Sequence, residues 1–134
     1  MIAYGVDTNV LLRLFVDDDP EQRAVALKFG EGIGRDYRGF LSLLNLLELD
    51  WALRARFGFK KKDVVEAIGK LTRVRGLDIE NQTLVIKALR AVETRNAVFA
   101  DALIGYRAAD EGCQATKTFD RHAFKTVPGM ELLS

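Results

Sequence analysis

The sequence contains very little cysteine and histidine, and this limits the kinds of site that it can build. Its only cysteine is Cys113, so no disulfide can form within the chain, and a reducing, cytoplasmic compartment is the simplest expectation. Its only histidine is His122, so the Cys/His ligand set of an ordinary zinc site is excluded. Both residues are expected to be structural or surface residues. Any metal ion must be held mainly by carboxylates, which suits Mg²⁺ or Mn²⁺.

Long apolar runs and a strong charge excess are also absent. No stretch approaches the roughly 20 apolar residues that span a bilayer. Residues 1–7 have no basic run before Asp7 interrupts the apolar residues, so a signal peptide is not expected. The net charge of +1 neither requires nor excludes a nucleic acid partner. With 134 residues and no repeat or evident linker, the chain is expected to form one domain, residues 1–134.

Hydrophobic patterning predicts that strands alternate with helices. Strands are expected over residues 2–6, which should be buried, and over 39–42, 76–80, 115–119 and 129–133. Helices are expected after Asn9, after the Asp19-Pro20 pair, over 43–57 and 61–73, after Asn81, and over 99–112. This alternation predicts an α/β fold, with a parallel sheet and helices on both of its faces.

Four acidic residues stand where carboxylates can act together. Asp7 and Asp120 each follow an expected strand, and open α/β sheets bind ligands at the carboxyl ends of their strands. Glu48 lies in an apolar helix, where a carboxylate is costly unless it has a partner or faces a cleft. Asp101 lies at the start of another apolar helix. Two carboxylates about 4 Å apart repel by on the order of 4 kcal/mol at an effective dielectric of ~20, so a divalent cation would stabilise such a cluster.

Each acid also has a structural explanation. Asp7 and Asp120 would each cap a following helix or turn. Asp101 would be a favourable charge in the first turn of its helix. The explanation is weaker for Glu48, because no basic residue stands at positions 44, 45, 51 or 52. The residues alone therefore allow a carboxylate metal site without requiring one.

The order of these motifs resembles a known family of nucleases. Residues 6–13 (VDTNVLLR) and 18–22 resemble the opening of VapC-type PIN domains. Residues 42–49 (SLLNLLEL), with Trp51 and Leu53 after them, resemble the helix that supplies the second acid of that family. Residues 99–104 (FADALI) and 112–121, which include KTFDR, resemble its third and fourth motifs. The resemblance covers nearly the whole chain.

The resemblance implies a three-layer α/β/α sandwich with a short central parallel sheet. It also implies Mg²⁺- or Mn²⁺-dependent cleavage of single-stranded or structured RNA, a homodimer, and a VapB-like antitoxin that blocks the site. By motif position, the catalytic and metal-binding residues would be Asp7, Glu48, Asp101 and Asp120. Supporting hydrogen bonds would come from Asn9, Thr118, Thr8 and Ser42. Many relatives carry a further acid three residues before Asp101, where this chain has Val98.

Other functions stay open at this point. A phosphatase of the haloacid-dehalogenase type also places an Asp after its first strand, but it carries an acid two residues later, where this chain has Asn9. A PIN-like module that binds RNA or protein without cleaving it is a second alternative, and a DNA nuclease or ribosomal-RNA-processing enzyme is a third. The basic residues Arg54, Arg56, Lys60, Lys61 and Lys62 are either a solvated surface or a contact for phosphates or an acidic protein segment.

Overall fold

A computed structural model describes residues 1–133, and these form an α/β fold of seven helices and five short strands. In chain order the elements are β1 (Ala3–Gly5), α1 (Thr8–Phe15), α2 (Pro20–Gly32), β2 (Arg38–Leu41), α3 (Leu43–Phe57), α4 (Lys61–Thr72), β3 (Leu77–Ile79), α5 (Gln82–Arg95), α6 (Phe99–Asp110), β4 (Thr116–Thr118), α7 (Arg121–Thr126) and β5 (Met130–Leu132). The expected α/β class is confirmed. Among residues 1–133 no helix has the length and apolar character needed to cross a membrane.

The strands form two parallel groups. One sheet has the order β1-β2-β3, with Ala3 opposite Arg38 and Leu41 opposite Ile79. The strands β4 and β5 form a separate parallel pair. Because the strands are parallel, the loops after β1 and β4 leave from carboxyl ends, and these loops carry Asp7 and Asp120.

The first strand differs from its expected burial. All three residues of β1 are exposed, and Val6, directly after the strand, is buried. The strand expected within residues 2–6 is therefore present, but the expectation that it would be buried was wrong. Within the described sheet β1 is an outer strand that pairs with β2 alone, so less of it is covered by neighbours.

Helix α3 positions Glu48, and both of its ends are set by local chemistry. Ser42 and Asn45 form a reciprocal capping box at its start, and Gly58 ends it in the left-handed conformation at φ 70°. Leu46, Leu49 and Leu53 are fully buried in the core. Burial of a leucine side chain contributes about 1.5–3 kcal/mol, so this buried face holds α3 in place, while Glu48 and Arg56 of the same helix are exposed.

Candidate active site

Asp7 and Glu48 share one cleft, and a single threonine contacts both of them. Asp7 caps α1 by accepting a hydrogen bond from the backbone N–H of Thr8 at 2.8 Å. The hydroxyl of Thr8 donates to Oε1 of Glu48 at 2.8 Å. Both carboxylates line a cleft of about 380 Å³, together with Asn9 and Trp51. Glu48 is exposed, accepts from a hydroxyl and lines a cleft, so α3 does not bury its charge although the helix is largely apolar.

A chain of hydrogen bonds leads from the start of α3 to Glu48. The hydroxyl of Ser42 donates to Oδ1 of Asn45 at 3.0 Å. The side-chain amide of Asn45 donates to the hydroxyl of Thr8 at 3.2 Å, which leaves the hydrogen of that hydroxyl for Glu48. Sequence reasoning missed Asn45, although a Ser followed three residues later by a polar amide at a helix start has the spacing of a capping box.

Asp101 and Asp120 form a second pair of carboxylates. Asp101 lies in the first turn of α6, and Asp120 caps α7 by accepting from the backbone N–H of Ala123 at 3.0 Å. The pKa of Asp101 is raised, first because burial removes water from its carboxyl and then because the charge of Asp120 repels the ionised form. The hydroxyl oxygen of Thr118 accepts a hydrogen bond from the backbone N–H of Asp120 at 3.0 Å. Thr118 therefore positions the backbone of Asp120 and does not contact its carboxylate through this bond.

A buried aspartate that the sequence did not single out joins the two pairs. Asp50 is 1% exposed and accepts two hydrogen bonds from the guanidinium of Arg54, at 2.8 and 3.0 Å. Its Oδ2 also accepts from the backbone N–H of Ala100 at 3.1 Å. Asp50 follows Glu48 by two residues and Ala100 directly precedes Asp101, so this carboxylate ties the second acid to the third. The only sequence signal was the Asp–Arg spacing of four residues, which is typical of ion pairs in helices.

The N-terminus of α6 depends on this contact. Val98, the residue before the helix, makes no side-chain cap hydrogen bond. Asp50 therefore satisfies a backbone N–H that a polar cap residue would otherwise satisfy. The positive charge of Arg54 also lowers the pKa of Asp101 and offsets part of the effects that raise it.

The basic residues divide into different environments. Arg54 is engaged by Asp50, whereas Arg56 is exposed and lines the cleft of Asp7 and Glu48. The side chain of Lys61 donates to the backbone oxygen of Asn96 at 2.9 Å, and Nε2 of His122 lies 2.9 Å from the same oxygen. The electrostatic effect of His122 on Asp101 also lowers the pKa of that carboxyl. Arg54 and Lys61 are therefore engaged within the protein, whereas the exposed Arg56 stays available for either of the two expected roles, a solvated surface or a contact for phosphates.

The candidate acids meet as pairs rather than as one closed cluster. Among residues 1–133, no three His, Cys, Asp or Glu side chains are arranged to hold a metal ion. The chemistry of the donors nevertheless fits Mg²⁺ or Mn²⁺, since both ions favour carboxylate oxygen. The repulsion between Asp101 and Asp120 is a feature that a cation would relieve.

Comparison with known proteins bears on this arrangement. The sequence pattern of the family described as PIN domain matches residues 4–130 of the chain. The matched range includes Asp7, Glu48, Asp101 and Asp120, as well as the linking residue Asp50. A search of the curated proteins finds no match.

Replacement of Asp50 by alanine is expected to lower the free energy of unfolding by about 3 kcal/mol, because it leaves the partly buried Arg54 unpaired and removes the acceptor of Ala100. The matched control is Asp78→Ala, since Asp78 pairs with Arg38 at an exposed position and its replacement should cost much less stability. Urea denaturation measures both losses. Equal losses in the two variants would contradict the linking role of Asp50.

Replacement of Asp101 by asparagine is expected to stabilise the metal-free protein, relative to wild type, as the pH rises from about 4 to 7. The pKa of Asp101 is raised in the folded state, so its contribution to stability is complete below the ordinary Asp pKa of about 3.9 and is lost as the pH rises through the raised pKa. The relative gain should stay below about 1 kcal/mol, because the carboxyl is partly exposed. Urea unfolding in EDTA at both pH values measures it, and a difference between the proteins that does not change with pH would contradict it.

Proposed function

Because the chain belongs to the PIN domain family, whose members are in general nucleases, we propose that it is a metal-dependent endoribonuclease acting on single-stranded or structured RNA. The observation that carries the proposal is the pairing of Asp7 with Glu48 and of Asp101 with Asp120, on elements that Asp50 joins. Hydrolysis of a phosphodiester needs charge stabilisation and an activated water, and carboxylates at the ends of parallel strands are suited to hold the cation for both.

In this proposal the four acids have different roles in metal binding. Asp7 and Asp101 are the main ligands of Mg²⁺ or Mn²⁺, and Glu48 and Asp120 complete the cluster directly or through water. The bound cation supplies a water of lowered pKa and stabilises charge on the phosphate oxygens. The chain's own task is orientation: Thr8 holds the Glu48 carboxylate by a hydrogen bond of 2.8 Å. Supporting roles fall to Asn9, Ser42 and Thr118.

We also propose a more specific biological role, that of the toxin in a VapBC-type toxin–antitoxin pair. The support is the order of the four motifs and their resemblance to VapC-type proteins. The whole chain, residues 1–134, acts as one domain in the cytoplasm and is blocked by a VapB-like antitoxin. Exposed apolar side chains, among them Val25 at 70% and Leu44 at 72% exposure, offer contact area for a homodimer or an antitoxin.

One alternative is favoured by a specific observation. The absence of a three-residue metal cluster among residues 1–133 favours a PIN-like module that binds RNA or protein without cleaving it. The two readings differ in whether a cation brings the acid pairs together, and hence in whether RNA is cut. A phosphatase-like phosphoryl transfer has less support, because Asn9 stands where such enzymes carry a second acid.

The proposal predicts that the purified protein cuts a labelled single-stranded RNA with Mg²⁺ or Mn²⁺ and not with EDTA. Asp7→Asn and Asp101→Asn should abolish cleavage, and Thr8→Val should lower the rate about 10- to 100-fold, as expected for the loss of a partner that orients a metal-site carboxylate. The matched control Asp78→Asn, at an exposed ion pair, should cleave like wild type. Gel analysis of initial rates measures the effects. A folded protein that binds RNA without cutting it under any of these conditions would support the binding module instead.

A further inference from the structure

The cleft that contains Asp7 and Glu48 also contains the single tryptophan of the chain. Trp51 is 59% exposed and lines this cleft from α3. It stands three residues after Glu48, which places the two side chains on neighbouring positions of one helix face. A tryptophan combines a large flat apolar surface with a polar N–H, and such side chains are enriched where proteins bind partners.

The same cleft carries a cationic group. Arg56 is exposed and lines the cleft, and its guanidinium carbon lies 5.2 Å from the centroid of the Phe57 ring. The contact with the ring restrains the guanidinium without neutralising its charge. The cleft therefore combines a negative region at Asp7 and Glu48, an aromatic surface at Trp51 and a positive group at Arg56.

We infer that Trp51 stacks on an unpaired base of a single-stranded RNA, and that Arg56 pairs with a phosphate of the same strand. The inference rests on the proposed function and goes beyond it, because it names the unpaired base as the feature that the cleft recognises. Bases in a duplex are stacked on each other, so the Trp51 surface is accessible to a base only where the strand is single or bulged. Aromatic stacking accepts any base, so this contact selects single strands rather than a sequence.

The charges in the cleft favour a nucleic acid over a protein as the occupant. Asp7, Glu48 and Arg56 surround the tryptophan with groups that an apolar protein contact would have to bury. A single strand presents a flat apolar base beside a phosphate anion, which matches a Trp51 surface beside the Arg56 charge. It also presents a phosphodiester, which is the group that the neighbouring acids would act on.

The fluorescence of the protein tests this directly, since Trp51 is its only tryptophan. Wild type in EDTA and Asp101→Asn in Mg²⁺ are titrated with a short oligoadenylate, with an abasic oligomer of the same length, and with the matching duplex. The expected result is quenching by the oligoadenylate and little quenching by the abasic oligomer or the duplex. Equal quenching by the oligoadenylate and the abasic oligomer would overturn the inference.

Two variants separate the contributions of the base and the phosphate. Because the Trp51 variants contain no tryptophan, affinity is measured by the fluorescence anisotropy of a labelled oligoadenylate. Trp51→Leu should weaken this binding roughly 10- to 100-fold with the salt dependence unchanged, whereas Trp51→Phe should keep most of the affinity. Arg56→Gln should keep the quenching and reduce the slope of log K against log salt by about 0.7, the value for one phosphate on a single strand. The matched controls Ile86→Ala and Arg90→Gln, at a groove between α4 and α5, should change neither quantity.

The outcomes distinguish this inference from the proposed nuclease function. RNA cleavage by wild type together with unchanged binding by Trp51→Leu would overturn the inference and leave the nuclease proposal standing. Quenching that depends on bases, without cleavage under any metal condition, would support the inference and count against the nuclease. A Trp51 signal that changes with protein concentration and not with RNA would overturn the inference in favour of a contact between two copies of the chain.

Discussion

The contact of the buried Asp50 carboxylate with Arg54 and the backbone N–H of Ala100 is the interaction on which the candidate site depends. A carboxylate that is 1% exposed is unfavourable unless its oxygens are satisfied, and here three hydrogen bonds from two elements satisfy them. Since two of the bonds come from within α3 and one from the start of α6, neither helix can shift without loss of the buried contact. Glu48 and Asp101 therefore keep a fixed relation although they belong to different helices.

This framework lets the protein keep charges close together that would otherwise separate. Asp101 is unfavourable in its ionised form because of burial and the nearby Asp120, and the charge of Arg54 offsets part of that cost. On the other side, Glu48 keeps its position through the hydroxyl of Thr8, which Asn45 holds in turn. Each carboxylate pair is thus stabilised by its own neighbour, Thr8 for the first pair and Arg54 for the second. The contact of Asp50 with Ala100 connects the helices α3 and α6 that carry Glu48 and Asp101. An arrangement of this kind stores electrostatic repulsion that a cation can relieve, which is the physical link between the fold and the proposed chemistry.

The sequence predicted the parts of the structure that local chemistry specifies. The bounds of α3 and the starts of the helices that follow Asp19 and Asn81 were predicted from residues adjacent in the chain and are confirmed. The exposure of β1 was not predictable, because the same apolar sequence pattern occurs in central and in outer strands. The contacts of Thr8 with Asn45 and of Asp50 with Ala100 join residues 37 and 50 positions apart, so they arise only when the helices pack. The sequence motifs therefore identified the candidate acids, whereas the hydrogen-bond partners of these acids became visible only in the packed structure.

The most direct test of this account is whether the two acid pairs bind one cation together. Mn²⁺ binding to the metal-free protein can be measured by electron paramagnetic resonance, with Glu48→Gln reporting on the first pair and Asp120→Asn on the second. The account predicts that both variants weaken the same site, each by roughly 10- to 100-fold. The account would be contradicted if Asp120→Asn weakened Mn²⁺ binding and Glu48→Gln left the affinity unchanged. The two acid pairs would then bind independently, and the contact through Asp50 would contribute to stability alone.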